Sequence, residues 1–221
     1  GAPAASTGAT VPSPAHPTVP QPFGLPLNAA QALLCLAGVA CCVAMSMPQV
    51  HIVAYCTDLG YGPAVGASML ATLLGFGVVS RLASGYMSDY LGGAGTLIIG
   101  SVLQAVALLL YIPFDGLMPL YIVSAVFGLA QGGIVPSYAL IIRDHFPARE
   151  AGFRISMVFT ATVLGMALGG WMSGAVYDWT GSYHAAFLNG IAWNLLNLAV
   201  VVFLLWRVHR SRHGALRPAG V

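Results

Sequence analysis

Arg81 has the plainest chemistry in this chain. It stands well inside the apolar run Ala64–Ser88 and is the only formal charge in any of the long apolar runs. Its guanidinium cannot discharge itself by losing a proton, and its rigid fork of donors meets a carboxylate through paired hydrogen bonds. The chemistry is therefore capture of an anion, not bond making. At bilayer depth such a charge costs about 2.5 kcal/mol or more, so it normally faces protein or a wet cavity. Arg81 also lies only about 10 Å along a helix from Ser88, which keeps snorkelling to the headgroups as the competing reading. Gly77, Arg81, Ser84, Gly85 and Ser88 share a helical face, and small residues build helix contacts and cavity walls. The stripe points the guanidinium inward.

Other polar residues fall at helical spacing in apolar runs. Met47, His51 and Tyr55 stack at i, i+4 just after Pro48, which removes a backbone donor and loosens the helix. That end reads as a gate, with His51 and Tyr55 as candidate substrate or proton contacts. Ser124, Gly128, Gln131, Val135 and Tyr138 form a second stripe, interrupted by Gly132-Gly133 and Pro136. Gln131 is the second candidate for a cavity wall and Tyr138 joins it. Gln104, Asn194 and Asn197 are expected to be interhelical hydrogen-bond partners. Ser84-Gly85 and Ser173-Gly174 resemble pieces of a serine site, with His51 as a base, but no partner spacing supports a hydrolase and no catalytic residue is assigned. His209-x-x-x-His213 has ligand spacing but lies beside Arg210 and Arg212, whose charge repels cations, so no metal and no cofactor is expected.

The elements that must position these side chains follow from composition. Of 221 residues, 58% are hydrophobic and 6% charged, against about 25% charged in average soluble proteins. Fourteen charges, eight Arg (there is no Lys) and six acids, cannot keep a globule of this size dispersed in water, and lipid must cover the rest. They are also too sparse for a phosphate-binding stripe, which excludes nucleic acid as a partner. Six apolar runs, Ala32–Cys56, Ala64–Ser88, Ala94–Ile112, Leu117–Ile142, Ile155–Tyr177 and Ala185–Trp206, each approach the ~20 residues that cross a bilayer. They lack period-two alternation and are too long for barrel strands. The fold class predicted is an all-α membrane protein, a six-transmembrane-helix bundle.

Short breaks rich in Gly, Pro and Asp separate the runs, among them Asp58–Pro63, Asp89–Gly93 and Asp178–Gly181. Residues 1–28, rich in Pro and Ala, read as a linker, 29–207 as the bundle and 208–221 as a basic tail against anionic headgroups. The four cysteines, Cys35, Cys41, Cys42 and Cys56, all fall in the first apolar stretch and read as small core residues. The fifth run, Ala161-x-x-x-Gly165-x-x-x-Gly169-x-x-x-Ser173, reads as a close-packing helix. Arg143, Arg149, Arg154, Arg207, Arg210, Arg212 and Arg217 fall on one side and Asp58, Asp115, Asp178 and His184 on the other. The positive-inside rule then puts both termini in the cytoplasm of a multi-pass protein of the cell membrane, inner or plasma.

Arg81-x-x-x-Gly85-x-x-Ser88-Asp89-x-x-Gly92 resembles the signature at the cytoplasmic end of the eighth helix of the major facilitator superfamily. Val50-His-Ile-Val-Ala-Tyr55-x-x-Asp58-x-Gly60 and Gly169-Gly-Trp-Met-Ser-Gly174-x-x-x-Asp178-x-Thr-Gly-Ser-Tyr183 look like its monocarboxylate and oxalate/formate branch. The resemblance is to a C-terminal half, helices seven to twelve, over about residues 28 to 207. It implies an alternating-access carrier of a small organic anion, two six-helix bundles rocking around a midplane site. It also implies that a partner N-terminal half is missing, that Arg81 binds the substrate carboxylate and that Gly85, Asp89 and Gly92 form a conformational loop motif. Tyr90 replaces the basic residue usual in that loop, which turns Asp89 toward Arg143, Arg149 or Arg154. Gly77 stands where proton-coupled relatives carry Asp, and the fifth run lacks the second cation of an oxalate clamp. A non-transporting six-helix scaffold or degenerate fragment is the alternative.

Overall fold

The structure, a computed structural model, describes residues 22–215, with the side chains of His209 and of 211–215 outside the description. After a single 3-10 turn at Pro22–Gly24 come α1 (Leu27–Asp58), α2 (Pro63–Leu110), α3 (Leu117–Gln131), α4 (Ile134–His145), α5 (Ala148–Thr180) and α6 (Tyr183–Ala215). No strand occurs among the described residues. The fold is all-α, as composition requires of a backbone that must satisfy its own polar groups in lipid. Most of the linker and the tail, with the His209-x-x-x-His213 pair, lie outside what is described.

α2 is 48 residues long, about 72 Å at 1.5 Å per residue and far more than a bilayer's thickness. It is really two spans. At Gly92 φ is 71° and ψ 168°, a conformation that only glycine adopts without strain. The arms 63–91 and 93–110 hold the second apolar run and all but the last two residues of the third. α3 and α4 together make the fourth span, interrupted at Gly132 and Gly133 rather than terminated. α5 ends on Gly181, left-handed at φ 64°, whose N–H caps the Tyr177 carbonyl at 2.7 Å. All six apolar runs are thus helical, each at its expected place in the chain.

α1 runs through the middle and packs against α5, α6 and both arms of α2. Burial in lipid offers no hydrophobic drive between helices, so contact depends on how closely backbones approach. α5 meets this with glycine: a Cβ at Gly165 would lie 2.6 Å from the Val39 carbonyl oxygen, and one at Gly169 would strike Val43 and Ser46. Gly128, Gly132 and Gly133 do the same against Leu73, Gly77, Ser80 and Ser84 of α2. Asn194 Nδ2 donates to the Ser101 carbonyl at 2.7 Å, Asn197 Nδ2 to Ser101 Oγ at 2.8 Å and Gln104 Nε2 to the Cys41 carbonyl at 3.5 Å. These are the interhelical bonds expected of them.

The two ends differ in charge and in how they are tied. At one, Arg207 holds the backbone of Phe23 and Gly24, Phe23 stacks on His145 and Arg154 pairs with Glu150 at 2.7 Å. At the other, Tyr55 and Tyr61 donate to Asp115 while Tyr177 and Tyr183 donate to Asp58 Oδ2.

Candidate functional site

Between these ends a cavity of about 420 Å³ opens among α1, the first arm of α2, the α3–α4 junction and α5. Its walls are mostly apolar, with Met45, Leu74, Val78, Phe159 and Met166 among them, and four polar side chains reach it: Gln49, Arg81, Gln131 and Thr162. Each is placed by helix geometry. Arg81 lies one turn beyond Gly77, which faces Gln131 Nε2 and the Gly128 carbonyl, each 3.8 Å from where its side chain would begin. Gln131 is the last residue of α3, just before the Gly132–Gly133 interruption. Gln49 follows Pro48, where α1 lacks a backbone donor.

The Arg81 guanidinium has neither an ion pair nor a hydrogen bond among the described residues. Gln49 Nε2 donates to Gln131 Oε1 at 2.6 Å, joining α1 to α3 across the cavity. Thr162 spends its hydroxyl on the Phe159 carbonyl at 2.7 Å. The cavity thus combines one uncompensated positive charge, one neutral amide pair and an apolar body. That composition suits a small molecule with a single anionic group.

The other residues singled out from the sequence stand elsewhere. His51 Nε2 donates to the Gly170 carbonyl of α5 at 3.0 Å. Tyr55 donates to Asp115 Oδ1 at 2.6 Å and lines a smaller pocket of about 220 Å³ with Tyr183 and His184, at the Asp-bearing end. Tyr138 is fully buried and donates to Asn197 Oδ1 at 2.8 Å. Of the motif residues, Gly92 makes the break in α2, Gly85 has open space where a side chain would stand, and Asp89 is exposed. Asp89 forms no ion pair among the described residues, and Arg154 turns to Glu150 instead. Ser84 Oγ donates to the Arg81 carbonyl, Ser173 is buried, and neither serine is hydrogen-bonded to His51. Gln49 was missed from sequence. Its phase with Cys42 and Met45, i, i+3 and i+7, is the signal that would have found it.

Long apolar helices of this kind are those of a multi-pass membrane protein, and the chain belongs to the Major Facilitator Superfamily, whose family model matches residues 27–220. Among curated relatives it is 28% identical over 160 residues to monocarboxylate transporter 13 of Rattus norvegicus, covering 72% of this chain and 37% of that protein. It is 26% identical over 155 residues to the gallate transporter of Pseudomonas putida, covering 68% and 32%. A crystal structure of the peptide transporter POT in complex with sulfate superposes with a TM-score of 0.71 at 18% identity, over 84% of this chain and 39% of that one. That likeness is one of fold. The chain spans less than half the length of each of these relatives.

Proposed function

We propose that this chain is the C-terminal half of a secondary carrier that moves a small organic monoanion across the cell membrane by alternating access, with both termini cytoplasmic. Arg81 binds the carboxylate, Gln131 stands beside it, and a second six-helix bundle closes the site. The observation that carries this reading is Arg81 itself, a permanent charge opening on a 420 Å³ cavity with no acid to neutralise it among the described residues. Arg81 is exposed at the cavity, and a charge at this depth of an apolar span is costly in lipid unless a wet cavity or a ligand meets it. The names of the relatives, a monocarboxylate and a gallate transporter, support an organic acid as that ligand. His51, Tyr55 and the two Tyr–Asp clusters hold the far end together and act as its gate, while Gly92 and Asp89 serve the junction between the second and third spans.

The test is uptake of labelled lactate and benzoate into proteoliposomes holding the full-length carrier. Arg81→Ala is expected to abolish uptake of any acid carried by the parent. Undiminished uptake in that variant overturns the assignment.

A further inference from the structure

The cavity holds more unspent polarity than a carboxylate needs. Besides Arg81, its polar lining is the Gln49–Gln131 pair, because the Thr162 hydroxyl is already committed to Phe159. Two carboxamides carry donors and acceptors in equal number, and the bond between them uses a single donor and a single lone pair. Whichever way each amide is turned, donors and acceptors both remain. Gln131 is about 6% exposed, yet its Nε2 has no hydrogen-bond partner among the described residues. That nitrogen lies 3.8 Å from where a Gly77 side chain would begin, so glycine leaves the space beside it open. Arg81 is one turn further along the same helix as Gly77, which puts the stem of the guanidinium about 5–6 Å from that position, and Arg81, Gln49 and Gln131 line the same cavity.

From this arrangement we infer that the Gln49–Gln131 amide pair reads a hydroxyl group on the body of the transported acid, making the carrier selective for hydroxy monocarboxylates over their deoxy counterparts. The inference rests on the anion-carrier reading and deepens it. A hydroxyl is both donor and acceptor and matches a neutral amide pair. A second carboxylate does not, because no second cation lines the cavity among the described residues. The apolar walls take the carbon body. When a deoxy acid enters, the two amides keep their own bond, so the penalty is the one hydrogen bond not made. Discrimination of about tenfold is expected, and not the far larger factors seen where a buried polar group is left bare.

The experiment compares matched acids in the full-length carrier, lactate against propionate and 4-hydroxybenzoate against benzoate, as competitors of labelled uptake in proteoliposomes. The parent is expected to favour the hydroxy member of at least one pair about tenfold. Gln49→Leu and Gln131→Met should bring that ratio to about one, whatever the remaining rate of uptake, and Gln49→Asn should keep part of the preference. A ratio is read within one protein, so a loss of folded material in either variant does not imitate the effect. Equal handling of both members by the parent in both pairs overturns the inference, as does a preference that survives in both glutamine variants. If no acid of either pair competes, the anion-carrier reading itself falls and takes this inference with it.

Discussion

Tyr138 on α4 donates its hydroxyl to Asn197 Oδ1 on α6 at 2.8 Å, and Asn197 passes the chain on to Ser101 Oγ at 2.8 Å on the second arm of α2. Three spans are joined through buried side chains. Tyr138→Phe would leave the Asn197 oxygen unpaired at a cost of about 0.5–2 kcal/mol, the range for interhelical bonds in membranes. The expected result is a lowered melting temperature in detergent with unchanged affinity for transported acid. A loss of affinity at unchanged stability would make Tyr138 a ligand contact instead.

The glycines of α5 make a sharper prediction. At Gly165 an added side chain meets the Val39 backbone, whereas at Gly85 it meets nothing within 4 Å. Gly165→Val is expected to destabilise the bundle by about 3 kcal/mol or more, because backbone on both sides cannot yield. Gly85→Ala should be neutral or slightly stabilising in its helix. Thermal unfolding monitored by size-exclusion chromatography separates the two, and equal tolerance would contradict the packing described.

Arg81→Lys keeps the charge and discards the fork. A point charge replaces two directed bonds, so affinity for a carboxylate is expected to fall about tenfold while binding persists, with stability unchanged because Arg81 holds no described partner. Full retention of affinity in the lysine variant would mean that charge alone suffices.

Arg207 fastens the start of the described chain to the end of α6, donating to the Phe23 and Gly24 carbonyls at 3.2 and 2.8 Å. Phe23 is 4% exposed and sits at φ 60°, unusual for a residue with a side chain. Arg207→Ala is expected to speed chymotrypsin cleavage after Phe23 about tenfold, since charged hydrogen bonds hold the segment shut. Unchanged cleavage would show that stacking on His145 is enough.

The spans were legible because lipid demands long apolar runs, and Gly92 because the loop pattern placed it between two of them. Arg81 was legible as a lone charge. The inner face of α1 was not: a helix apolar on every side carries no amphipathic mark. The stripe Met47–His51–Tyr55 was chosen for its polar members, but residues 42, 45 and 49 line the cavity and that stripe turns to α5 and the Asp115 end. Tyr138 lies near the helical phase of Gln131 and Val135, but of these three it is absent from the cavity lining and bonds Asn197 instead, a choice of partner that the stripe in the sequence does not carry.

Gly92 joins two spans with no intervening loop, and that junction has mechanical leverage. The arm 93–110 is about 27 Å long at 1.5 Å per residue, so a swing of only 10° about this residue displaces its far end by about 5 Å. A flexible loop would absorb such a rotation locally; a stiff lever pivoting on one residue hands it on to Tyr111, buried at the end of that arm and bonded to Ser124 at 2.9 Å.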